Sequence, residues 1–252
     1  MWAMSPAYVT DKMALSDVAM LPGMFTEVCK GTHAYWKMAT EGLLAKTDFG
    51  GNKIHPIFVA LLPPYQVIGP HHPIKSFEDL KGIKIRSSGG SVDLTIRALG
   101  ATPVKLTGPE TREGLERGTI DANLGPNSSL KGYDIFPLAK YGTQGASFGS
   151  FVVTYSISDR VWNGLSDEVK QALAKAGEET NTHLCQAHER ENLSAIKAME
   201  DLGADFYHPT DADKQAFAAT ATSVAAQWAK ELDDRGKQGS AALAEFKSEL
   251  GK

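Results

Sequence analysis

Glu78 to Gly90 reads E-D-L-K-G-I-K-I-R-S-S-G-G, and this stretch decides the fold. Asp79 and Gly82 mark a turn, after which Ile83 and Ile85 alternate with Lys84 and Arg86 as in a short strand entering a sheet. Ser87, Ser88, Gly89 and Gly90 break that strand, and Val92, Ile96 and Leu99 then recur at helical spacing. Arg86 therefore stands where a strand ends and a helix is about to begin. In open α/β sheets this edge collects ligands, because unpaired N–H groups and the helix dipole both favour a negative group there. A guanidinium on that edge presents a planar fork of donors that matches a carboxylate in two parallel hydrogen bonds.

Working outward, Ile57 to Leu62 reads as a buried strand, Pro63-Pro64 interrupts it, and Tyr65 to Ile68 resumes. Proline cannot donate to a sheet ladder, so the interruption suits a crossing between two lobes. Thr102 to Leu106 and Ile120 to Asn123 read as further strands, separated by a short helix from Arg112 to Arg117. Ser147 to Ser158 alternates, with Phe151, Val153, Tyr155 and Ile157 on one parity; it suits a crossing back, which Phe148 and Phe151 precede. Phe148 and Phe151 could wall a pocket or fill the core. Ser166 opens a helical pattern in which Val169, Leu173, Ala176, Thr180 and Leu184 recur, and Gly203 stops it. A helix of that span is roughly 54 Å long, more than one small lobe can cover. Near the start, Val28, Tyr35, Met38 and Leu43 suit one face of a helix, for which Thr26 is the expected N-cap. Near the end, Thr210 caps a helix with Phe217, Val224, Trp228 and Leu232 on one stripe.

Four segments, D-L-K-G-I-K-I-R (79–86), A-L-G-A-T-P-V-K-L (98–106), G-T-I-D-A-N (118–123) and V-W-N-G-L-S-D-E-V-K-Q-A-L (161–173), occur in an order that resembles the solute-binding proteins of tripartite ATP-independent periplasmic (TRAP) transporters, of the C4-dicarboxylate-binding type. The resemblance implies an α/β, two-lobed periplasmic binding protein, type II-like, with a long helix at about 166–202 spanning both lobes. Lobe I is expected over 1–63 plus 152–191 and lobe II over 64–151 plus 192–252. It implies a non-enzymatic protein that closes on an organic acid and delivers it to membrane permease subunits, in the periplasm, as a monomer and without a cofactor. The family pattern often places an arginine where this chain has Gln66, and an asparagine before the proline where it has Gly125, flanked by Asn123 and Asn127. The expected ligand-binding residues are Arg86, Gln66, Ser88, Asn123, Asn127, Phe148 and Phe151. Gly125 leaves room, which favours a bulkier or less polar solute than a small dicarboxylate. Family members also carry a signal and roughly two βα units before the segment that Trp2 to Met24 resembles. Lobe I is therefore expected to be incomplete, the chain being truncated at its N-terminus.

Composition agrees with this and narrows the alternatives. With 42% hydrophobic and 22% charged residues and a net charge of −4, the chain is ordinary globular material with no electrostatic case for nucleic acid. Cys29 and Cys185 are too few and too distant for a disulfide framework, and buried free thiols are the expectation. Cys29 and His33 lie four apart without the third group a nucleophile needs. Cys185, His188 and Glu189 could in principle hold zinc, and His71-His72 could too, but a solvated face and a solvated loop account for them. An enzyme on this scaffold would have to use Cys29 with His33 or the His-rich helix at His183; a sensor domain of the same fold would use the same cleft.

Overall fold

The computed structural model describes residues 1–251. Its strands are β1 (Trp2–Met4), β2 (Ile54–Leu61), β3 (Gln66–Gly69), β4 (Lys84–Ser87), β5 (Thr102–Lys105), β6 (Ala122–Gly125), β7 (Tyr141–Thr143), β8 (Val152–Ser158) and β9 (Asp205–Tyr207). Its helices are α1 (Val28–Thr40), α2 (Ser91–Ala98), α3 (Thr111–Glu116), α4 (Asp159–Asn163), α5 (Asp167–Asp201), α6 (Asp211–Asp233) and α7 (Gly239–Glu249). Two sheets divide the strands. One has the order β1-β8-β2, the other β5-β4-β6-β3-β7-β9.

Within the larger sheet, β4 runs parallel to both β5 and β6, and Arg86 pairs with Asn123 across the β4–β6 ladder. The turn before β4 is built by a capping box between Ser76 and Asp79. The turn after it ends at Gly90, whose φ of 62° favours glycine. Pro56 sits at the register shift of the β2–β8 ladder, where its missing N–H does least harm. The alternation expected from Ser147 is a strand only from Val152. The parity buried in it is Val152, Thr154 and Ser156, while Tyr155 lies further out and stacks on Phe58 with centroids 4.2 Å apart.

Each sheet has its own core. Val59, Leu61 and Val152 pack with α1 and the Met13–Phe25 segment, and with Val224, Trp228, Leu232, Ala242 and Phe246 from the end of the chain. Around the larger sheet, Val67, Ile85, Ile96 and Leu124 pack with Phe148 and Phe217, and a smaller cluster joins Ile68, Ile120 and Met199. Residues 224–246, expected with lobe II, thus pack into the first core. Helix α6 spans the molecule: its first half lies on one core and its second half on the other.

Helix α5 is 35 residues long, begins at the Ser166 cap and touches both halves, but the stripe it buries is not the expected one. Gly177, Asn181, Cys185, Ala195 and Met199 are buried, while Val169 and Leu193 are exposed. Close approach is the reason. A Cβ at Gly177 would run into the Ile57 carbonyl, and Asn181 Oδ1 accepts from the Val59 N–H at 2.8 Å. One turn further along the same face, Cys185 is joined to Cys29 of α1 by a disulfide. This overturns the expectation of free thiols: side chains 156 residues apart in sequence meet because α5 lies against α1.

Candidate functional site

Between the two cores lies a cleft of about 460 Å³ including its mouth. From the larger sheet come Arg86 at the end of β4 and its ladder neighbour Asn123 on β6, with Gly125 beyond it. Paired positions on neighbouring strands share a face, so register alone aims the guanidinium and the amide into the same space. The rest of the lining is largely apolar and aromatic: Tyr8, Leu62, Tyr65, Tyr133 and Phe151, of which Tyr65 and Phe151 pack with the core of the larger sheet. Tyr8 and Phe151 lean on each other at 5.6 Å. Tyr133 can lie close over the floor because residue 108 is glycine; a Cβ there would run into its ring.

Arg86 is 7% exposed, and it is the one charged residue among the described residues that line the cleft. Its Nε donates to the Leu106 carbonyl at 2.9 Å, which fixes the plane of the guanidinium. Among the described residues its terminal nitrogens have neither a hydrogen-bond nor an ion-pair partner. A buried guanidinium normally has a carboxylate beside it. The Glu110 carboxyl, held below the usual carboxylate range mainly by the Thr107 hydroxyl and N–H, feels the Arg86 charge only as a smaller influence from beyond ion-pair distance. Tyr65 is buried, which pushes its phenol upward, and the Arg86 charge opposes that rise. The site therefore holds a positive fork with no internal counter-ion, set against aromatic walls.

The structure brings three of the seven expected residues into this cleft: Arg86, Asn123 and Phe151. Gln66 lies opposite Gly125 in the β3–β6 ladder, but its amide is consumed inside the protein. Its Nε2 donates to the Ala146 carbonyl at 2.6 Å, and its Oε1 accepts from the Thr143 hydroxyl at 3.0 Å. Ser88 is buried beside the Tyr65 phenol, without a well-formed hydrogen bond between them. Asn127 is fully buried outside the cleft lining, with neither end of its amide bonded. Phe148 belongs to the core, edge-on to Phe77 and Phe217. The sequence reading missed Tyr8, Tyr65 and Tyr133, which stand on loops or a short turn rather than at strand ends. Pro64 before Tyr65, at the expected crossing, was the only local signal for any of them.

The alternatives drawn from Cys29, His33, Cys185 and His188 lose their chemistry here. The disulfide takes both thiols, so neither is a nucleophile or a metal ligand. His33, His71 and His72 are exposed, and no group of three metal-ligating side chains occurs among the described residues. No helix among them is long and apolar enough to cross a membrane.

Residues 1–231 match the profile of the bacterial extracellular solute-binding proteins, family 7 (DctP). The C4-dicarboxylate-binding periplasmic protein DctP of Rhodobacter capsulatus is 25% identical over 153 residues, 60% of this chain and 46% of that protein. The ectoine-binding periplasmic protein TeaA of Halomonas elongata is 28% identical over 191 residues, 73% of this chain and 54% of its own length. The chain thus spans about half the length of these relatives. A marine metagenome TRAP solute-binding protein specific for aromatic acid ligands, solved with metahydroxyphenylacetate, superposes with a TM-score of 0.89 at 20% identity, covering 99% of this chain and 78% of the other. A TRAP periplasmic solute-binding protein from Bordetella bronchiseptica, solved with both enantiomers of mandelate, gives 0.84 at 23% identity, covering 99% and 79%.

Proposed function

Because this chain belongs to the bacterial extracellular solute-binding proteins of family 7, we propose that it is the capture component of a TRAP-type secondary transporter. Its solute is an organic monocarboxylate with a flat, apolar or aromatic body. The observation that carries this reading is the buried Arg86 fork, held by Leu106 and facing a cleft that supplies no counter-ion. One cation neutralises one carboxylate. A second carboxylate would be buried without a partner, at the several kcal/mol such a charge costs. Tyr8, Tyr133 and Phe151 offer ring faces to the body of the acid, and the glycine at 125 leaves room for it: a side chain there would press on the Asn123 amide, 3.0 Å away. The aromatic acids held by the two solved proteins of this fold agree with such a solute.

Capture proceeds by hinged closure. The acid docks on Arg86, the Tyr8 and Leu62 side folds over it, and expelling water strengthens the charge-assisted bonds. Only contacts made in the closed form drive that shift. The loaded protein then meets the permease subunits of the transporter outside the cytoplasm, a location with which the disulfide agrees.

Titration calorimetry with benzoate, 3-hydroxybenzoate, mandelate, succinate and ectoine tests the reading. An aromatic monocarboxylate binding near a micromolar Kd, about −8 kcal/mol, with succinate at least about tenfold weaker, is expected. Tighter binding of succinate, or no binding of any acid, overturns it.

A further inference from the structure

Five residues beyond Arg86, at the start of α2, the Ser91 N–H donates to Asp17 Oδ2 at 3.2 Å. The two partners stand on elements rooted mainly in different cores, which meet here: Leu94 of α2 also packs on the first core, and Met20 of the Asp17 turn on the second. Asp17 lies in the Leu15–Met20 turn, whose Leu15, Val18 and Ala19 sit in the core of the smaller sheet. Ser91 opens the helix whose Val92 and Ile96 sit in the core of the larger one. Gly90 is shaped for the contact, since a Cβ there would collide with Asp17 Oδ2. The other carboxylate oxygen, Oδ1, is buried with no hydrogen-bond partner. Most buried side-chain polar atoms are hydrogen-bonded, so this oxygen stands out. Beside it opens a crevice of about 740 Å³ including its open mouth, bordered by Asp17, Gly90 and Ser91 and by Arg97, Trp228 and Glu231. Water entering there would hydrate the orphaned oxygen as the halves part.

We infer that Asp17 is a closure latch: its carboxyl grips the α2 N-terminus behind the Arg86 turn in the closed form and lets go to water in the open form. This rests on the reading of the cleft as a site that closes on an acid. Asp17 touches no solute; it is a positioning residue that sets how long the closed form lasts.

The latch carries a pH signature. Burial pushes the Asp17 carboxyl up to about 7, with the Ser91 N–H opposing the rise and Asp48 adding to it. The other ionisable groups around it are Tyr35 and Asp48 on its own side, Asp93 and Arg97 on α2, Glu231 on α6 and Arg235 just beyond its end. In the open, hydrated form the carboxyl returns toward its ordinary value near 4. The closed form is therefore the better proton binder. Its advantage is complete below the open-form value, shrinks as pH rises, and is lost above about 7.

Stopped-flow dissociation of 3-hydroxybenzoate, with hydrogen exchange at the Ser91 amide in the loaded protein and, for the closed fraction present without solute, in the solute-free one, tests this on Asp17→Ala and Asp17→Asn. In Asp17→Ala, release at pH 5 speeds up about tenfold and Ser91 protection falls. In Asp17→Asn, whose amide oxygen still accepts, release at pH 5 and Ser91 protection stay near wild type, and the wild-type acceleration of release between pH 5 and 8 disappears. Equal release rates in all three proteins overturn the latch even though the acid binds. Should no acid bind, the function above fails while Ser91 protection still judges the latch: protection lost in Asp17→Ala and kept in Asp17→Asn supports it, and protection unchanged in Asp17→Ala overturns it.

Discussion

A guanidinium can be recruited by a carboxylate from outside only if the protein withholds its own, and the surroundings of Arg86 do so. Leu106 uses Nε and leaves the outer edge of the fork facing the cleft. Lysine at this position would keep the charge but lose the planar pair of donors. Truncating one partner of a buried charge pair costs about 2 to 5 kcal/mol, so Arg86→Ala should weaken 3-hydroxybenzoate about 30-fold to several thousand-fold. Arg86→Lys should fall in the same range, and calorimetry giving it wild-type affinity would sink the bidentate reading. Arg86, Asn123 and Phe151 were legible in the sequence because strand ends and the entry to a crossing can be located from alternation and breakers. Gln66 was legible as a position but not as a role. Nothing near it in the chain announces that Thr143 and Ala146 will absorb its amide. Tyr8 and Tyr133 were not legible at all, since an aromatic residue in a loop reads alike whether it roofs a cleft or faces solvent.

Helix α5 shows the corresponding limit for whole elements. Its existence and span follow from the Ser166 cap, the long periodic run and Gly203, but the buried stripe belongs to Gly177, Asn181 and Cys185 rather than to the larger apolar residues. Periodic hydrophobicity finds faces that bury area. It does not find a face that lets two backbones touch, and here a glycine, an amide and a sulfur do that work. The same contact unites Cys29 with Cys185, a pairing with no local signal because its two halves are brought together only by the packing of α5 on α1. Closing a loop of that length removes about 5 kcal/mol of chain entropy from the unfolded state on the polymer account, although engineered bridges often deliver less. Reduction, or Cys29→Ser with Cys185→Ser, should therefore lower Tm by several degrees while leaving the affinity for the acid close to unchanged, because the bridge lies outside the cleft lining. Differential scanning calorimetry with and without reductant checks this; an unchanged Tm would mean the packing of α1 on α5 suffices by itself.

For the molecule as a whole, the balance between open and closed depends on a few contacts that cross between halves with separate cores. The chain crosses from one sheet to the other after Leu61 and returns before Val152, and α5 and α6 touch both sides. The two strand crossings were visible in Pro63-Pro64 and in the alternation ending at Ser158. The return of residues 224–246 to the first core was not, since an amphipathic helix states that it has an apolar face and not which core receives it. With two continuous helices bridging the halves, closure must be a small rotation of preformed bodies rather than refolding. A compact chain of this length has a radius of gyration near 18 Å. Small-angle scattering should show the solute-free protein above its loaded value, with saturating 3-hydroxybenzoate shrinking it and Arg86→Ala remaining expanded at the same concentration. Asp17→Ala separates affinity from geometry: it should need more solute to reach the compact state yet reach the same final radius. A radius that did not respond to an acid already shown to bind would mean that this cleft receives its solute without moving.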